Sequence, residues 1–276
     1  MRRMITRGGS VRDGALRRAS VRSAWPEAGA VTADGISALA RSAVLYGQTI
    51  APSLFYVGSS YNGTTWVGDA GPTLALAGTG AAPTIVDAPT EAVAAEDAGV
   101  LCNYGSGKYF SSSPDTTAGD VTTEDMFFEL WLKPGPTALD FAIAKRGTTT
   151  QGWMVYSAST SAKLSLRYSA TTVVSSWNIA AATWTHLVVG VDRSSSTGVY
   201  CAKDGVLQGT SFDPTALTTL TSSTATFVGA VNASGPSCAS SIALAAMWKA
   251  NGWLDASDKP ALAAWALERY NTAMGV

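Results

Sequence analysis

The Asp and Glu side chains of this sequence could catalyse a reaction, because a pair of carboxyl groups can hydrolyse a glycosidic bond. In retaining enzymes the two carboxyl groups lie about 5 Å apart. Glu124 and Asp125 are adjacent in a strand-like segment and would therefore point to opposite faces of a sheet. Glu129 has only apolar neighbours in the chain. The sequence predicts no hydrolase site, and we expect the protein not to be an enzyme.

His186 is the one histidine in the sequence, so it is the one imidazole that could act as a base for a nucleophilic serine or cysteine. No Gly-x-Ser-x-Gly turn accompanies it, and no third group is evident that would orient it towards Cys201 on a neighbouring strand. We interpret His186 as a structural partner on a sheet. Cys201 lies in an apolar run and is expected to be buried.

The cysteine residues do not by themselves predict disulfide bonds or a metal site. The three cysteines, Cys102, Cys201 and Cys238, are odd in number and lack Cys-x-x-Cys spacing. Neither a disulfide framework nor a structural zinc site is predicted. We expect the chain to fold in a reducing compartment.

Aromatic residues beside amides could bind sugars, because a ring stacks on a sugar face while Asn or Asp forms hydrogen bonds. Trp177 and Asn178 lie in a predicted loop and are the strongest candidates. Earlier predicted loops add three more aromatic residues, Tyr61, Trp66 and Tyr104. Packing in the core is the alternative for each of these rings, and it is the commoner role of a tryptophan.

Strands must position the candidate site residues, and the sequence predicts these strands from short apolar runs. From Ser53 onward they are separated by Gly, Pro, Ser and Thr clusters at roughly ten-residue spacing, which is typical of an all-β sandwich. Strands are predicted at 74–77, 99–103, 125–133, 140–145, 151–157, 162–168, 171–176, 184–192, 198–203, 225–230 and 240–249. A C-terminal helix is predicted to begin at Ser257 or Asp258, with Pro260 in its first turn. Its apolar stripe consists of Leu262, Trp265, Ala266, Arg269 and Tyr270.

Charge is unevenly distributed along the 276 residues. Residues 1–52 have a net charge of +5, and the other 224 residues have a net charge of −6. This asymmetry is typical of a basic arm joined to a domain, so we predict a docking arm at 1–52 and a domain at 53–276. The first 22 residues lack the apolar segment of a secretory signal.

The arm is predicted to contain one short helix between Asp34 and Gly47. Its Arg, Gly and Ser residues cannot bury a core of their own, so we expect it to dock onto an acidic protein. Nucleic acid is less favoured, because no aromatic residues are interleaved with the arginines. The predicted docking residues are Arg2, Arg3, Arg7, Arg12, Arg17, Arg18, Arg22, Trp25, Ile36, Leu39 and Val44.

Four strand-like segments follow one another in the second half of the chain. They are Phe-Phe-Glu-Leu-Trp-Leu-Lys-Pro at 127–134, Gly-Trp-Met-Val at 152–155, Trp-Thr-His-Leu-Val-Val-Gly-Val-Asp-Arg followed by Val-Tyr-Cys-Ala-Lys-Asp-Gly at 184–205, and Ser-Ile-Ala-Leu-Ala-Ala-Met-Trp at 241–248. Together they resemble the signature of laminin G-like domains in the concanavalin A-like lectin and glucanase superfamily. The resemblance implies an all-β, two-layer antiparallel jelly-roll sandwich, here with an N-terminal arm and a C-terminal helix.

The family resemblance also raises the question of calcium. Many laminin G-like domains bind this ion at a rim of loops through Asp and Asn side chains, whereas solvated turn residues are the commoner alternative. Calcium is the one cofactor that the sequence leaves open. The residues at predicted strand ends that could bind it are Asp140, Asp192, Asp213, Asn178 and Asn232.

A basic arm, one jelly roll, unpaired cysteines and only 14% charged residues are similar to what tailed-phage virion proteins show. We therefore expect a virion structural protein, either a minor tail protein or a capsid-surface decoration protein, assembled in many copies in the host cytoplasm. Its sandwich would contact host glycans. The alternative is a free-standing carbohydrate-binding, lectin-like protein. No membrane insertion is expected, because the apolar runs are shorter than the roughly 18 residues that span a bilayer.

Overall fold

The computed structural model describes residues 36, 39–45, 48–78, 82–85, 100–101, 108–112, 117–135, 140–146, 151–158, 160–230, 240–250 and 259–274. Within them the strands are β1 (Ala43–Leu45), β2 (Gln48–Ile50), β3 (Pro52–Val57), β4 (Thr65–Trp66), β5 (Leu74–Gly78), β6 (Thr84–Ile85), β7 (Val100–Leu101), β8 (Lys108–Ser112), β9 (Asp125–Lys133), β10 (Asp140–Lys145), β11 (Gly152–Ala158), β12 (Ser161–Tyr168), β13 (Thr171–Asn178), β14 (Thr185–Val191), β15 (Val199–Lys203), β16 (Val206–Leu207), β17 (Phe227–Val228) and β18 (Ser241–Ala250). The described helices are a short 3-10 helix (Gly58–Ser60) and the α-helix α1 (Lys259–Met274).

Two eight-stranded antiparallel sheets form the sandwich, which confirms the predicted fold class. The first, called the open sheet, has the strand order β13-β12-β11-β10-β17-β8-β5-β4. The second, called the helix-covered sheet, has the order β16-β15-β14-β9-β18-β7-β6, with β3 also paired to β18. Every strand predicted from the apolar runs is present within a few residues.

The main core lies between the two sheets. Met126, Phe128, Leu130 and Leu132 alternate along β9 and point into it, and Trp153 of the open sheet packs on Phe128 with ring centroids 5.0 Å apart. All five side chains are buried. Burial of each contributes about 1.5–3 kcal/mol, so this layer is the main source of stability.

A second apolar layer covers the outer face of the helix-covered sheet. Phe127 on β9 stacks on Trp248 of β18 at 4.9 Å, and Trp265 of α1 packs edge-on against both rings. Because β9 is covered on both faces, its sequence is apolar at nearly every position instead of alternating. The predicted stripe of α1 is confirmed, since Leu262, Trp265, Ala266 and Arg269 are buried.

The helix predicted between residues 34 and 47 is wrong. β1 and β2 form an antiparallel pair instead, and Ala43, Val44 and Leu45 alternate as buried, exposed and buried. Just before β1, the carbonyl of Arg41 accepts a hydrogen bond from the Trp248 indole of the sandwich at 3.1 Å. Tertiary contacts therefore override the helical spacing of the apolar residues.

The residues of the predicted docking arm have different environments in the structure. Ile36 and Leu39 are buried in the layer beneath α1, so the prediction that they face a partner is wrong, while Val44 is 61% exposed. The predicted domain boundary between residues 52 and 53 would place Ile36 and Leu39 outside the domain whose apolar layer they share. The seven predicted docking arginines from Arg2 to Arg22, and Trp25, lie outside the described residues.

A buried ion pair attaches α1 to the sheet. The Arg269 guanidinium donates through Nε to both carboxylate oxygens of Glu129 at 2.8 and 2.7 Å, and the His186 ring lies 2.9 Å from Oε1. The Glu129 and His186 side chains are fully buried. Arg269 also donates to the Ala40 carbonyl at 2.7 Å, so the same residue holds the N-terminal segment.

Ionisation of Glu129 links this cluster to pH. Burial alone would raise the pKa of its carboxyl, but the Arg269 charge and the His186 hydrogen bond outweigh burial and hold the pKa below its ordinary value of 4.5. The unfolded chain therefore binds a proton more readily than the folded chain as the pH falls. The stabilisation is complete above the ordinary pKa and is lost as the pH falls below it.

We predict that Arg269→Met lowers the free energy of unfolding by about 3–5 kcal/mol at pH 7, because it leaves a buried carboxylate without its main partner. Urea titrations at pH 7 and at pH 3 would measure the loss, which should be smaller at pH 3. Glu268→Gln, on the exposed neighbouring residue, is the control and should change stability by less than about 0.5 kcal/mol. Equal losses at both pH values would contradict the role of the ion pair.

We also predict that Gly190→Ala destabilises the fold by about 1–3 kcal/mol through overpacking beneath α1. A Cβ at Gly190 would lie 2.6 Å from the Tyr200 ring and 2.8 Å from Leu262. Gly209→Ala is the matched control, since a Cβ there meets nothing within 4 Å. Thermal unfolding measures both variants, and a Gly190 variant as stable as the Gly209 variant would disprove the close contact.

Candidate functional site

The predicted sugar-stacking rings are core residues. Trp66 is fully buried, Tyr61 is 6% exposed and Trp177 is 4% exposed. Their polar atoms are used internally: for example, the Trp66 indole donates to the Val57 carbonyl at 2.6 Å. A stacking platform needs an exposed ring face, so these three predictions are wrong and the packing alternative is correct. Tyr104 lies outside the described residues.

His186 and Cys201 point to opposite faces of the helix-covered sheet. Cys201 pairs with Val189 in the register and belongs to the core between the sheets. His186 is three residues from Val189 along β14, and its ring stacks on Trp131 at 4.9 Å beneath α1. The structural role predicted for His186 fits this position, and a Cys-His pair is ruled out by the geometry.

Most carboxylates whose side chains the structure describes are engaged in structural contacts, whereas Glu268 on α1 is exposed. Glu129 binds Arg269, and Glu124 accepts hydrogen bonds from Thr122 and Thr123. Burial alone would raise the pKa of the Glu124 carboxyl, but its own backbone hydrogen bond, those from Thr122 and the Lys249 charge hold the pKa below its ordinary value. Other carboxylates bind a lysine, an arginine or a main-chain amide: Asp69, Asp120, Asp125, Asp192, Asp204 and Asp213.

The proposed calcium ligands do not form a described cluster. Asp192 and Asp213 each accept hydrogen bonds from the residue two positions later in their own turns. The Asp140 side chain and Asn232 lie outside the described residues. Within the described part of the chain, no three His, Cys, Asp or Glu side chains are grouped so that they could hold a metal ion. Calcium binding stays a prediction.

One cavity lies between β1 and α1. Its volume is about 260 Å³, and its lining includes Leu39, Trp265, Glu268 and Arg269. This volume is slightly below the roughly 300–1,000 Å³ typical of small-ligand sites. Arg269 is already bound to Glu129 and Ala40. The cavity is therefore a weaker candidate for an oligosaccharide site than an extended surface.

The outer face of the open sheet provides such a surface. Along β13, Val173, Ser175 and Trp177 point inward, so Thr172, Val174, Ser176 and Asn178 must point outward. All four outward residues are exposed, and Val174 is 45% exposed. The alternation is that of an antiparallel strand with one face in the core and one in solvent.

The strand register gives the arrangement of side chains on this face. Ser176 lies opposite Lys163, which lies opposite Tyr156 on β11. The next outward row contains Val174, Ser165 and Met154, and the row beyond it contains Thr172, Arg167 and Gly152. Asn178 lies opposite Ser161 at the other end. We call the outward side chains of Arg146, Tyr156, Lys163, Arg167, Ser176 and Asn178 the polar face.

Arg146 follows β10 and turns its side chain across the neighbouring strands. Its guanidinium donates to the Ser165 hydroxyl at 2.5 Å, and the residue is 4% exposed. Burial and the nearby Arg167 charge lower the pKa of Arg146 to about 10, while Tyr156 acts in the opposite direction. The guanidinium is charged at neutral pH and lies among hydrogen-bonding groups.

Gly152 makes room for this side chain. Its φ is +127°, a conformation that other residues rarely adopt, and a Cβ would collide with the Lys145 carbonyl oxygen. The same Cβ would lie 3.1 Å from the Arg146 Cβ. Because Gly152 lies opposite Arg167, its missing side chain leaves the Arg146 stem beside Arg167.

The structure places one residue of the sequence-based site, Asn178, on the polar face. Arg146, Tyr156, Lys163 and Arg167 were missed. The signal in the sequence is the alternation of Lys163, Ser165 and Arg167 with buried Leu164 and Leu166 in one strand. It shows which residues share a face, but not that Arg146 reaches across to them.

A family model matches residues 105–251, just over half of the chain, and describes the concanavalin A-like lectin/glucanases superfamily. The chain belongs to this superfamily. No curated protein sequence matches this concanavalin A-like chain. Within the described residues, no helix combines the length and apolar character needed to cross a membrane.

Solved structures share the fold of this concanavalin A-like chain at low identity. The binding domain of botulinum neurotoxin serotype G has a TM-score of 0.54 and 14% identity, over 77% of this chain and 50% of that one. A serotype D ligand-binding domain in complex with N-acetylneuraminic acid has a TM-score of 0.53 and 9% identity, with the same coverage. This chain thus spans about half the length of these relatives.

We predict that Cys201 does not react with iodoacetamide at pH 8 in the folded protein, because burial raises the pKa of its thiol well above the ordinary value. Mass spectrometry of the peptide that contains Cys201 would measure the reaction separately from the other cysteines. The same treatment in urea is the control and should modify the thiol fully. Rapid alkylation of Cys201 in the native protein would show that this strand is not buried as described.

Proposed function

We propose that this chain is a non-catalytic carbohydrate-binding domain whose ligand lies across the polar face of the open sheet. The observation that carries the proposal is the difference between the two outer faces. One is closed by α1 and the β1-β2 pair, whereas the other presents exposed or half-buried hydrogen-bonding side chains across β11, β12 and β13.

The chemistry of the polar face suits sugars. Sugar hydroxyls both donate and accept hydrogen bonds, and Ser176, Asn178, Tyr156 and Lys163 supply donors and acceptors within one area. Half-buried Met154 and exposed Val174 add apolar contact for the faces of sugar rings. A flat polar surface of this kind favours an extended oligosaccharide over a small enclosed ligand.

The similar structures support the proposal at the level of fold. One is named for a complex with N-acetylneuraminic acid, and another, with a TM-score of 0.51 and 12% identity, for the interaction of botulinum neurotoxin type C with two ganglioside molecules. Both names concern carbohydrate-bearing ligands of those proteins. The superfamily itself includes lectins.

The absence of catalysis is part of the proposal. Apart from the exposed Glu268 on α1, the carboxylates whose side chains are described bind internal partners, and the buried Glu129 is neutralised by Arg269. A hydrolase would need two carboxylates free to reach one glycosidic bond.

The virion role stays a prediction. It depends on the arginines of residues 1–22, which lie outside the described residues, and Ile36 and Leu39 no longer support it because they are buried in this chain.

We expect the purified chain to bind oligosaccharides on a glycan array without releasing reducing ends from them. Calorimetry with the best ligand should show that Ser176→Ala/Asn178→Ala weakens binding about thirtyfold, since two hydrogen bonds contribute about 1 kcal/mol each. Thr272→Ala, exposed on α1 at the other side of the sandwich, is the control and should bind normally.

Two outcomes would overturn the proposal. A folded chain that binds no glycan would disprove carbohydrate binding, and binding that the double variant leaves intact would place the ligand elsewhere. Release of reducing ends by the unmodified chain would disprove the non-catalytic part alone.

A further inference from the structure

β13 lies at one edge of the open sheet and is the longest strand at any described sheet end. It has eight residues, whereas β4, β6 and β16 at the other ends have two residues each. Its sequence contains no charged residue, proline or glycine. Proteins commonly protect a sheet edge with a short strand, a charge or a proline, because an open edge pairs with another strand. β13 has none of these protections.

The hydrogen-bond pattern shows which main-chain groups of β13 point away from the sheet. Ile179 donates to the Thr160 carbonyl at 2.9 Å, so these two residues form a hydrogen-bonded pair of the antiparallel ladder. Such pairs alternate along the regular register of β12 and β13, so the main-chain groups of Thr172, Val174 and Ser176 point away from β12. In the part of the chain that the structure describes, no strand lies on that side.

One end of this edge is already occupied. The Asn178 carbonyl has the same outward direction, and Lys203 donates to it through Nζ at 3.4 Å. The part of the edge that could pair with a further strand is therefore the segment from Thr172 to Ser176.

We propose that the outer edge of β13 pairs in antiparallel fashion with β13 of a second copy of this chain, about a two-fold axis at Val174. An axis at this residue places Thr172 opposite Ser176 of the second copy, so all three outward residues form hydrogen-bonded pairs. An axis at Ser175 would instead place Thr172 opposite Asn178, whose carbonyl Lys203 has taken.

The side chains of β13 favour a second copy as the partner. Val174, which is 45% exposed, would contact its own counterpart across the axis, and the hydroxyls of Thr172 and Ser176 can form hydrogen bonds with each other. A charged residue on β13 would lie near its own copy and repel it, and β13 has none.

The nearest cations do not oppose this pairing. Lys163 lies opposite Ser176 and Arg167 opposite Thr172, both on β12. In the paired sheets, Lys163 and Arg167 of the second copy would be three strand spacings apart, or about 14 Å. That distance exceeds the Debye length of about 8 Å at physiological salt, so their repulsion is screened.

The pairing would join the open sheets of two copies into one continuous sheet. Their polar faces would then adjoin, with Ser176 and Asn178 of each copy near the seam. A ligand with repeated units could contact both faces at once, which raises its apparent affinity without any new contact within one copy. The pairing itself depends on main-chain groups, so it stands without the proposed function.

Sedimentation equilibrium of the full chain, without sugar and with a reductant for its three cysteines, tests the proposal. With rising concentration the mass should approach twice the 28.4 kDa of one chain. Val174→Lys places like charges at the axis and should raise the dissociation constant at least about a hundredfold. Val174→Thr is the matched control and should still dimerise, as should Thr272→Lys, which adds the same charge on α1. Circular dichroism would check that each variant is folded.

A cysteine variant locates the contact. In a hydrogen-bonded antiparallel pair the two Cα atoms are about 5.5 Å apart, which suits a disulfide bond. Oxidation of Val174→Cys should therefore link two copies through the introduced thiols, as peptide mass spectrometry would show. The same treatment of Thr272→Cys should give no such link.

Three results would overturn the proposal: a monomer at every concentration, a dimer that Val174→Lys leaves intact, or an open-ended assembly in place of a dimer. None of them concerns sugar binding, so the proposed function would stand. A chain that binds no glycan but dimerises through β13 would overturn the proposed function alone.

Discussion

The carboxylate of Glu129 is buried in the middle of a strand that is covered on both faces, and the rest of this structure depends on how it is neutralised. A charge in such a place is tolerated only with a close partner of opposite sign. Arg269 is that partner, and it comes from the C-terminal helix. The requirement fixes α1 against the helix-covered sheet, and the same guanidinium then holds the Ala40 carbonyl of the N-terminal segment.

Closing one side of the sandwich gives the two outer faces different surfaces. The outer face of the helix-covered sheet is filled by Trp248, Trp265 and Ile36, and its polar groups are consumed by the contacts that hold this layer in place. Among the described residues, no such layer covers the outer face of the open sheet at β13, where exposed side chains alternate with core residues. The two faces therefore differ: one is filled by structural contacts, and the other presents side chains to solvent along β13.

Gly152 has a specific part in shaping the polar face. Gly152 takes up a backbone conformation that a side chain would strain, and its position opposite Arg167 leaves space for the stem of Arg146. Two cations can thus lie side by side on a strand pair where a larger residue would separate them. The positions of Arg146 and Arg167 therefore depend on the missing side chain at Gly152 as well as on the strands.

The sequence by itself determined the strands and the sandwich. Runs such as Met126 to Leu132 can be satisfied only in a buried strand, and the helical stripe of Leu262, Trp265 and Arg269 allows no other element. Cys201 was predictably buried because it lies in such a run. These features follow from local periodicity, which a single chain displays directly.

Only the tertiary structure decided the remaining features. Residues 43–45 lie in the stretch predicted as a helix but pair as a strand with residues 48–50, since β2 supplies main-chain partners and the sandwich offers an apolar surface for Ala43 and Leu45. Whether Trp66 or Trp177 faces solvent depends on the loops and strands that surround it. The spacing of apolar residues in the sequence does not predict those surroundings. The Glu129–Arg269 pair and the proximity of Arg146 to Arg167 join residues 140 and 21 positions apart. Such contacts are set by the register and stacking of whole sheets, which local sequence does not encode.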